Sequence, residues 1–427
     1  MNYQQTLDFL FQRLPMFSRI GSAAFKKDLT NTLALCDFLG NPQDRFKSIH
    51  IAGTNGKGST SHMLAAIFQT AGYRTGLYTS PHLRDFRERI RINGILCDQD
   101  FVIDFTRRIQ PMIEKLEPSF FEITVAMAFD YFAQQEVDIA VIEVGLGGRF
   151  DSTNIIRPEL SIITNIGWDH MNLLGNTLAE IAFEKAGIIK PDIPVIIGEV
   201  IPETRPVFEK AAQYSPLVYA QQQRMVSDWQ YKEHHLFTDV VETQTDRHQH
   251  YQLDLSGIYQ HKNLLTVLEA AHQLEKTGWK TDHATLQSAL KQVKKLTGFH
   301  GRWEMIRQNP TVILDVAHNV DGLRQVREQI ELSDYHHLHI VFGMVKDKDV
   351  SSVLSLLPEQ AHYYFTQAQI PRAMDAGDLQ QKAFEKGLTG KVFPEVNQAL
   401  QHALQNAHPN DLILVCGSVF LVGEVIH

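Results

Sequence analysis

The chain has 427 residues, of which 44% are hydrophobic, 9% aromatic and 21% charged; this excludes a disordered or fibrous protein and, at about 150 residues per domain, implies two or three domains. Its 40 Lys and Arg against 49 Asp and Glu leave a net charge of −9, which argues against a general nucleic-acid or anionic-membrane binder because either needs a basic face.

The N-terminal MNYQQTLDFLFQRLPMF has no basic segment leading into an apolar run, and no stretch of the chain approaches the ~18 apolar residues of a membrane span. Cys36, Cys97 and Cys416 are far apart and odd in number, a pattern suited to a reducing compartment. A cytoplasmic protein is expected. Ser48–Ala52 then reads as a strand, followed by a glycine-rich turn and a helix from Ser59 to about Gly72. Strands follow at Thr75–Thr79, Asp138–Val144, Leu160–Asn165 and Pro194–Ile197, separated by helical periods such as Phe121–Gln135. This alternation implies a mostly parallel sheet covered on both faces.

From about Leu217 to Gly257 the pattern shortens into polar strands containing His234, His235, His248 and His250. These read as solvent-facing hairpin histidines rather than a zinc site, since no pair has helical i,i+4 spacing beside other ligands. Helices are expected at His261–Lys276 and His283–Leu296. After Thr297–Glu304, strand and helix alternate again through TVILDVAH, Val320–Leu332, HHLHIVFG, Val350–Leu357, HYYFTQ, Asp378–Lys386, Val396–Asn406 and LILVCGS. The expected domains are therefore residues 1–297 and a smaller α/β domain at 298–427.

Gly53, Thr54, Asn55, Gly56, Lys57, Gly58 and Ser59 lie between a strand and a helix. Glycines let backbone N–H groups converge on phosphate oxygens, the helix N-terminus adds partial positive charge, and Lys57 can neutralise β/γ oxygens. The spacing departs from GxxxxGK[ST], and turn chemistry alone would also place glycines here. Glu143 and His170 follow apolar strands, as does Ser80, on the rim where open parallel sheets bind ligands. A carboxylate and a hydroxyl suit Mg²⁺ bridging phosphates; loop capping and a core hydrogen bond are the competing readings for Glu143 and His170. Lys185 on its helix reads as a solvated charge. Arg302 and Asp315 fit either nucleotide contact or a mutual ion pair.

Taken in order, GTNGKGST, LYTSPHLRDFRERI, IEVGLGGRFDSTN, GWDH, EKAGI, GRWE, DVAHN, GMVKDKD and VCGSVF resemble the folylpolyglutamate synthase/dihydrofolate synthase family of Mur-type ATP-dependent amide ligases, over residues 45–425. The resemblance implies an N-terminal phosphate-loop domain and a C-terminal Rossmann-like domain. It implies ATP at Gly53–Ser59, with Asn263, Arg302 and Asp315 on the nucleotide. It further implies Mg²⁺, as two ions, near Ser80, Glu143 and His170, and a carbamate on Lys185, which reverses the surface reading. His318 lies beside the nucleotide positions, and Phe121, Glu122, Arg149 and Asp151 match the pterin side.

The implied reaction is glutamate addition to dihydropteroate or to a reduced folate. ATP phosphorylates the acceptor carboxylate, a poor acyl donor at neutral pH, and the amine of L-glutamate attacks the acyl phosphate, with His318 or Asp315 as candidate base. The arginine and aspartate of GLGGRFDSTN favour both activities over polyglutamylation alone. A monomer is expected. The rivals are a cell-wall Mur ligase, for whose UDP-sugar domain the ~45 residues before the phosphate-loop strand are too few, and a nucleotide-dependent switch protein.

Overall fold

The computed structural model describes residues 1–16, 21 and 26–426. Contacts divide the chain into two compact units, Met1–Asp254 with Gln260–Phe299 and Leu255–Tyr259 with His300–His427. Where the sequence suggests one boundary after residue 297, the chain passes between units three times, because a five-residue segment belongs to the second unit.

The first unit is built on eight strands: β1 (Lys47–Ala52), β2 (Thr75–Tyr78), β3 (Ile90–Ile92), β4 (Ile95–Leu96), β5 (Ile139–Glu143), β6 (Leu160–Ile163), β7 (Val195–Ile197) and β8 (Leu217–Tyr219). Their order is β4-β3-β2-β5-β1-β6-β7-β8, with β2, β5, β1, β6, β7 and β8 parallel. Every residue of β5, β6 and β7 is buried, which is why these strands are continuous apolar runs instead of alternating ones. The register pairs Ile51 with Glu143 and Ala52 with Ile163, so three strands end side by side around β1.

Four helices matter for the site: α1 (Lys57–Thr70), α2 (Phe120–Gln134), α3 (Leu178–Ala186) and α4 (Gln260–Lys276). Residues Ser59 to Phe68 of α1 are buried without interruption. This helix packs on β5 and β2 and also against α4, and a helix covered on all sides shows no amphipathic stripe. The expected helix His283–Leu296 is two, His283–Leu290 and Val293–Thr297, because the Asp254 carboxylate accepts from the Lys294 N–H at 2.8 Å and restarts the turn there.

A three-stranded antiparallel sheet of β9 (Arg224–Lys232), β10 (His235–Glu242) and β11 (Arg247–Leu253) is tied to α4 by Arg224. That buried guanidinium reaches Glu242 at 2.9 Å and Glu269 at 3.5 Å. His234 and His235 stand at the β9–β10 turn, and His248 and His250 on β11.

The second unit has six strands: β12 (Glu304–Arg307), β13 (Thr311–Asp315), β14 (Leu338–Phe342), β15 (His362–Phe365), β16 (Gly390–Val392) and β17 (Leu412–Cys416). The order is β12-β13-β17-β14-β15-β16, parallel except for β12. Helix α5 (Val320–Glu331) follows β13 and begins at Asn319, whose side chain accepts from the Gly322 N–H. Both units are α/β layers with parallel sheets, as the strand and helix alternation requires. No helix among the described residues is long and apolar enough to cross a membrane.

Candidate active site

The turn after β1 is held by its neighbour strand rather than by itself. Asn165, just past β6, accepts from the Thr54 N–H through its carbonyl at 3.0 Å and from the Asn55 N–H through Oδ1 at 2.9 Å. Thr164 Oγ1 donates to the Asn55 carbonyl at 2.6 Å. Gly53 and Gly56 have positive φ, 147° and 83°. A Cβ on Gly53 would lie 1.8 Å from Thr164 Oγ1, and one on Gly56 2.2 Å from Asn263 Oδ1. Glycine is required at both positions by backbone conformation and by close approach together.

Two lysines converge on one carbonyl of this turn. Lys57 Nζ donates to Gly53 O at 3.1 Å and Thr54 O at 3.2 Å, and Lys185 Nζ donates to Gly53 O at 3.0 Å. Lys185, in the last turn of α3, is only 4% exposed, so the solvated-charge reading of this residue is overturned. Its sequence position hid this, because burial here comes from α3 folding back onto a loop 132 residues earlier.

Glu143 is buried at the end of β5. Its Oε2 accepts from the Ser80 N–H at 3.1 Å, and its two oxygens lie 3.8 and 3.9 Å from where a Gly58 Cβ would stand. Carboxylate, Ser80 and the first turn of α1 are thus one neighbourhood. His170 takes a left-handed conformation, φ 50°, with its N–H on Asp169 Oδ1 at 2.8 Å and Nε2 3.8 Å from the same oxygen. Among the described residues no three His, Cys, Asp or Glu side chains form a ready-made metal cage.

At the start of α4, Gln260 is fully buried. It donates from Nε2 to Ser59 Oγ at 3.1 Å and accepts from Asn263 Nδ2 at 2.8 Å. Asn263 is thereby locked against Gly56. Sequence reasoning missed Gln260, Thr164 and Asn165; a polar pair directly after the apolar run LSII was the available signal for the last two.

The residues expected on the pterin side divide into two kinds. Phe121 is half-buried, its ring where a Gly145 Cβ would fall 2.4 Å away. Arg149 pairs with Glu184 at 2.6 and 3.3 Å and lies over the rings of Phe150 and Phe183. Glu122 and Asp151 are buried and serve local structure. Glu122 closes a capping box with Ser119 at the start of α2. Asp151 accepts from the N–H groups of Leu146 and Thr153 and from the Thr153 hydroxyl; burial raises its carboxyl against the lowering effect of those bonds.

In the second unit, Asp315 ends β13 and is 2% exposed. Its Oδ2 accepts from the Tyr259 hydroxyl at 2.7 Å and the Trp303 N–H at 2.8 Å, and its Oδ1 from the Ala317 N–H at 2.8 Å. Burial first, and then the Asp315 charge, hold the Tyr259 phenol protonated far above its ordinary range. His318 Nδ1 is 3.0 Å from the Val316 carbonyl. Arg302 is half-buried one residue before Trp303.

Residues 51–271 match the Mur ligase middle domain and residues 301–419 the Mur ligase glutamate ligase domain; fold and site together define a Mur-type ligase. The chain is 31% identical to the dihydrofolate synthase/folylpolyglutamate synthase of Bacillus subtilis, over 99% of this chain and 98% of that one. It belongs to the dihydrofolate synthase/folylpolyglutamate synthase family of ATP-dependent ligases. Among solved structures, Escherichia coli FolC in complex with DHPP and ADP superposes with a TM-score of 0.84 at 27% identity, covering 99% of this chain and 96% of that one. The folylpolyglutamate synthase of Mycobacterium tuberculosis, complexed with ADP and AMPPCP, gives 0.84 at 30% identity, with the same coverage of both chains.

Proposed function

We propose that this chain adds L-glutamate to dihydropteroate, forming dihydrofolate, and to reduced folates, forming folylpolyglutamates, with ATP converted to ADP and phosphate. The observation that carries this reading is the glycine-requiring turn at the head of α1, hydrogen-bonded to Thr164 and Asn165, with the Glu143 carboxylate beside Gly58. Transfer of the γ-phosphoryl group to the acceptor carboxylate gives an acyl phosphate. The glutamate amine attacks its carbonyl, phosphate departs, and the amine proton passes to a base.

Lys57 and the N-terminus of α1 bind the triphosphate, and Asn263, Arg302 and Asp315 contact the nucleotide. His318 is the better base. Its Nδ1 faces the Val316 carbonyl, which can only accept, so Nδ1 is the donor of that bond. Both oxygens of Asp315 are already engaged, by three hydrogen bonds. Phe121 and Arg149 meet the pterin side, with Glu122 and Asp151 holding the segments that present them.

The residues fit magnesium: one buried carboxylate and serine hydroxyls are hard oxygen donors, and Mg²⁺ takes the rest of its shell from phosphate and water rather than from a protein cage. When bound, the ion neutralises phosphate charge, with Glu143, Ser80 and His170 as its protein neighbours. The reading extends to two ions and to a carbamate on Lys185. A carbamate is checked by a ¹³C-carbonate signal in NMR that is absent from Lys185→Arg.

The deciding measurement is ADP release with dihydropteroate and with tetrahydrofolate, each with and without L-glutamate. Release that needs acceptor and glutamate together is expected, with product masses one glutamate higher. Rapid ATP hydrolysis without them, or none with them, overturns the reading; turnover with tetrahydrofolate only would restrict it to polyglutamylation.

A further inference from the structure

In the middle of the first unit's sheet, β1 carries a histidine that the ligase reaction does not use. His50 pairs in register with Ile142 of β5 and Ser161 of β6 and is fully buried. Its Nε2 lies 2.8 Å from Thr153 Oγ1, in the turn Ser152–Ile155. The Thr153 hydroxyl donates onward to Asp151 Oδ1. That carboxylate also accepts from the Thr153 N–H at 3.0 Å and, through Oδ2, from the Leu146 N–H at 2.8 Å. Two side chains thus join a central strand to both ends of the loop from Leu146 to Thr153.

The protons of this line have one arrangement. Both oxygens of Asp151 face N–H donors, so the carboxylate accepts and takes the Thr153 hydroxyl proton as well. The Thr153 oxygen is left to accept, and His50 Nε2 therefore carries a proton. Nδ1 has no hydrogen-bond partner among the described residues; unprotonated, it strands a lone pair rather than an N–H. Burial first, and then the Lys190 charge, push the ring's pKa down to about 3, which keeps it neutral.

We propose that His50 is a positioning residue for the acceptor substrate: through Thr153 and Asp151 it sets the Leu146–Thr153 loop, and with it Arg149, for the pterin side. Arg149 sits within that loop, its N–H on the Glu184 carbonyl at 2.8 Å and its carbonyl accepting from Asn154 Nδ2 at 3.1 Å. Without the His50 donor the Thr153 oxygen loses its buried partner, and its hydroxyl is free to turn from Asp151. The loop then holds Arg149 less tightly, and acceptor binding has to order it. The glycine-rich turn has its own supports in Thr164 and Asn165, so nucleotide binding does not share the loss.

This inference rests on the ligase reading, and the test separates the two. ADP release by the wild-type enzyme that needs acceptor and glutamate tests the reading; its absence sinks both. With that turnover in hand, His50→Leu and Thr153→Val are each expected to raise KM for dihydropteroate and tetrahydrofolate about tenfold, with KM for ATP within about twofold. An amide can replace one ring nitrogen at a time. His50→Gln puts its NH₂ near the place of Nε2 and is expected to bring the acceptor KM back to within about threefold of the wild type. His50→Asn puts its NH₂ near the place of Nδ1 and is expected not to.

The double variant of His50→Leu with Thr153→Val is expected to raise the acceptor KM little more than the worse single one, because residues in one line are non-additive. All constants are taken per folded molecule, with the folded fraction read from thermal melts. A wild-type acceptor KM in Thr153→Val overturns the proposal. So does an equal rise in KM for ATP, or equal behaviour of His50→Gln and His50→Asn, which is what a histidine serving the core alone would give. In ¹⁵N NMR of the wild type, His50 is expected to be protonated at Nε2 only between about pH 8 and 5; a proton on Nδ1 overturns the arrangement. If His50→Leu does not fold, Thr153→Val and the glutamine and asparagine pair carry the same expectations.

Discussion

At the carboxyl end of β1 the chain turns through Gly53–Gly56 and presents backbone; at the carboxyl end of β13 it stops on a buried carboxylate, Asp315. Both places are the ligand edge of a parallel sheet. The first is shaped by conformations that only glycine adopts easily, so it is written into a short, contiguous stretch. The second is shaped by donors from residues 259, 303 and 317, none of which marks the carboxylate as special. A backbone site declares itself in sequence, whereas a carboxylate site depends on what surrounds it.

The largest break in that comparison comes from Lys57→Ala, which removes the charge the loop offers to phosphate. We expect kcat to fall by about 10²–10³ with a thermal melt near that of the wild type; turnover like the wild type's would refute the role of Lys57. Next is Gly56→Ala, which meets both a positive φ and Asn263. Backbone strain of about 1–3 kcal/mol is expected, read as a lower denaturant midpoint together with weakened ADP binding. Unchanged midpoint and affinity would show that the loop does not need glycine there.

On the second unit, Asp315→Asn puts an NH₂ group against a donor and removes the negative charge. A loss of about 1–3 kcal/mol is expected, smaller than a loop defect in its effect on nucleotide affinity. The mildest probe is acid. In the first unit, His50 is pushed down to about 3 by burial and then the Lys190 charge, and His82 to about 3 by burial and then Arg89 against an opposing Asp85. His261 is pushed down to about 4 by burial.

Unfolded histidines take a proton near pH 6.5 (about) and these do not, so the unfolded state binds more protons and stability falls as pH drops from about 6.5 to 4. In the second unit, burial pushes the Asp411 carboxyl up, but bonds from the His408 N–H, His339 and His337 outweigh it and bring it down to about 2. That contribution is present above about 3.8 and is lost only as pH falls towards 2. Burial also lowers His339 in the second unit, so hydrogen exchange at pH 7 and 5 is expected to show the first unit, with His50, His82 and His261, loosening more; equal loosening would erase this difference between the units.

Much of the fold was legible. The strands around β1 are apolar runs bounded by turn residues, and the glycine-rich turn after β1 stands where its glycines place it. Lys185 was not legible from its own helix, whose pattern resembles any exposed last turn; only the motif resemblance moved it inward. Glu122 and Asp151 were marked by motif but not by task, since capping a helix and gathering a loop's N–H groups are decided by geometry. Gln260 was silent because an amide side chain at a helix start looks like a surface residue until α4 packs on α1.

The sequence by itself determined the parallel α/β layers, the glycine-rich turn after β1 and the place of Glu143 at a strand end, because strand periodicity and glycine torsions are local properties of the chain. Only the tertiary structure decided that Lys57 and Lys185 share the Gly53 carbonyl, that Gln260 reaches Ser59 across 201 residues, and that Leu255–Tyr259 belongs to the second unit. These are hydrogen bonds between segments remote in sequence, and no local pattern encodes which buried donor will find which acceptor.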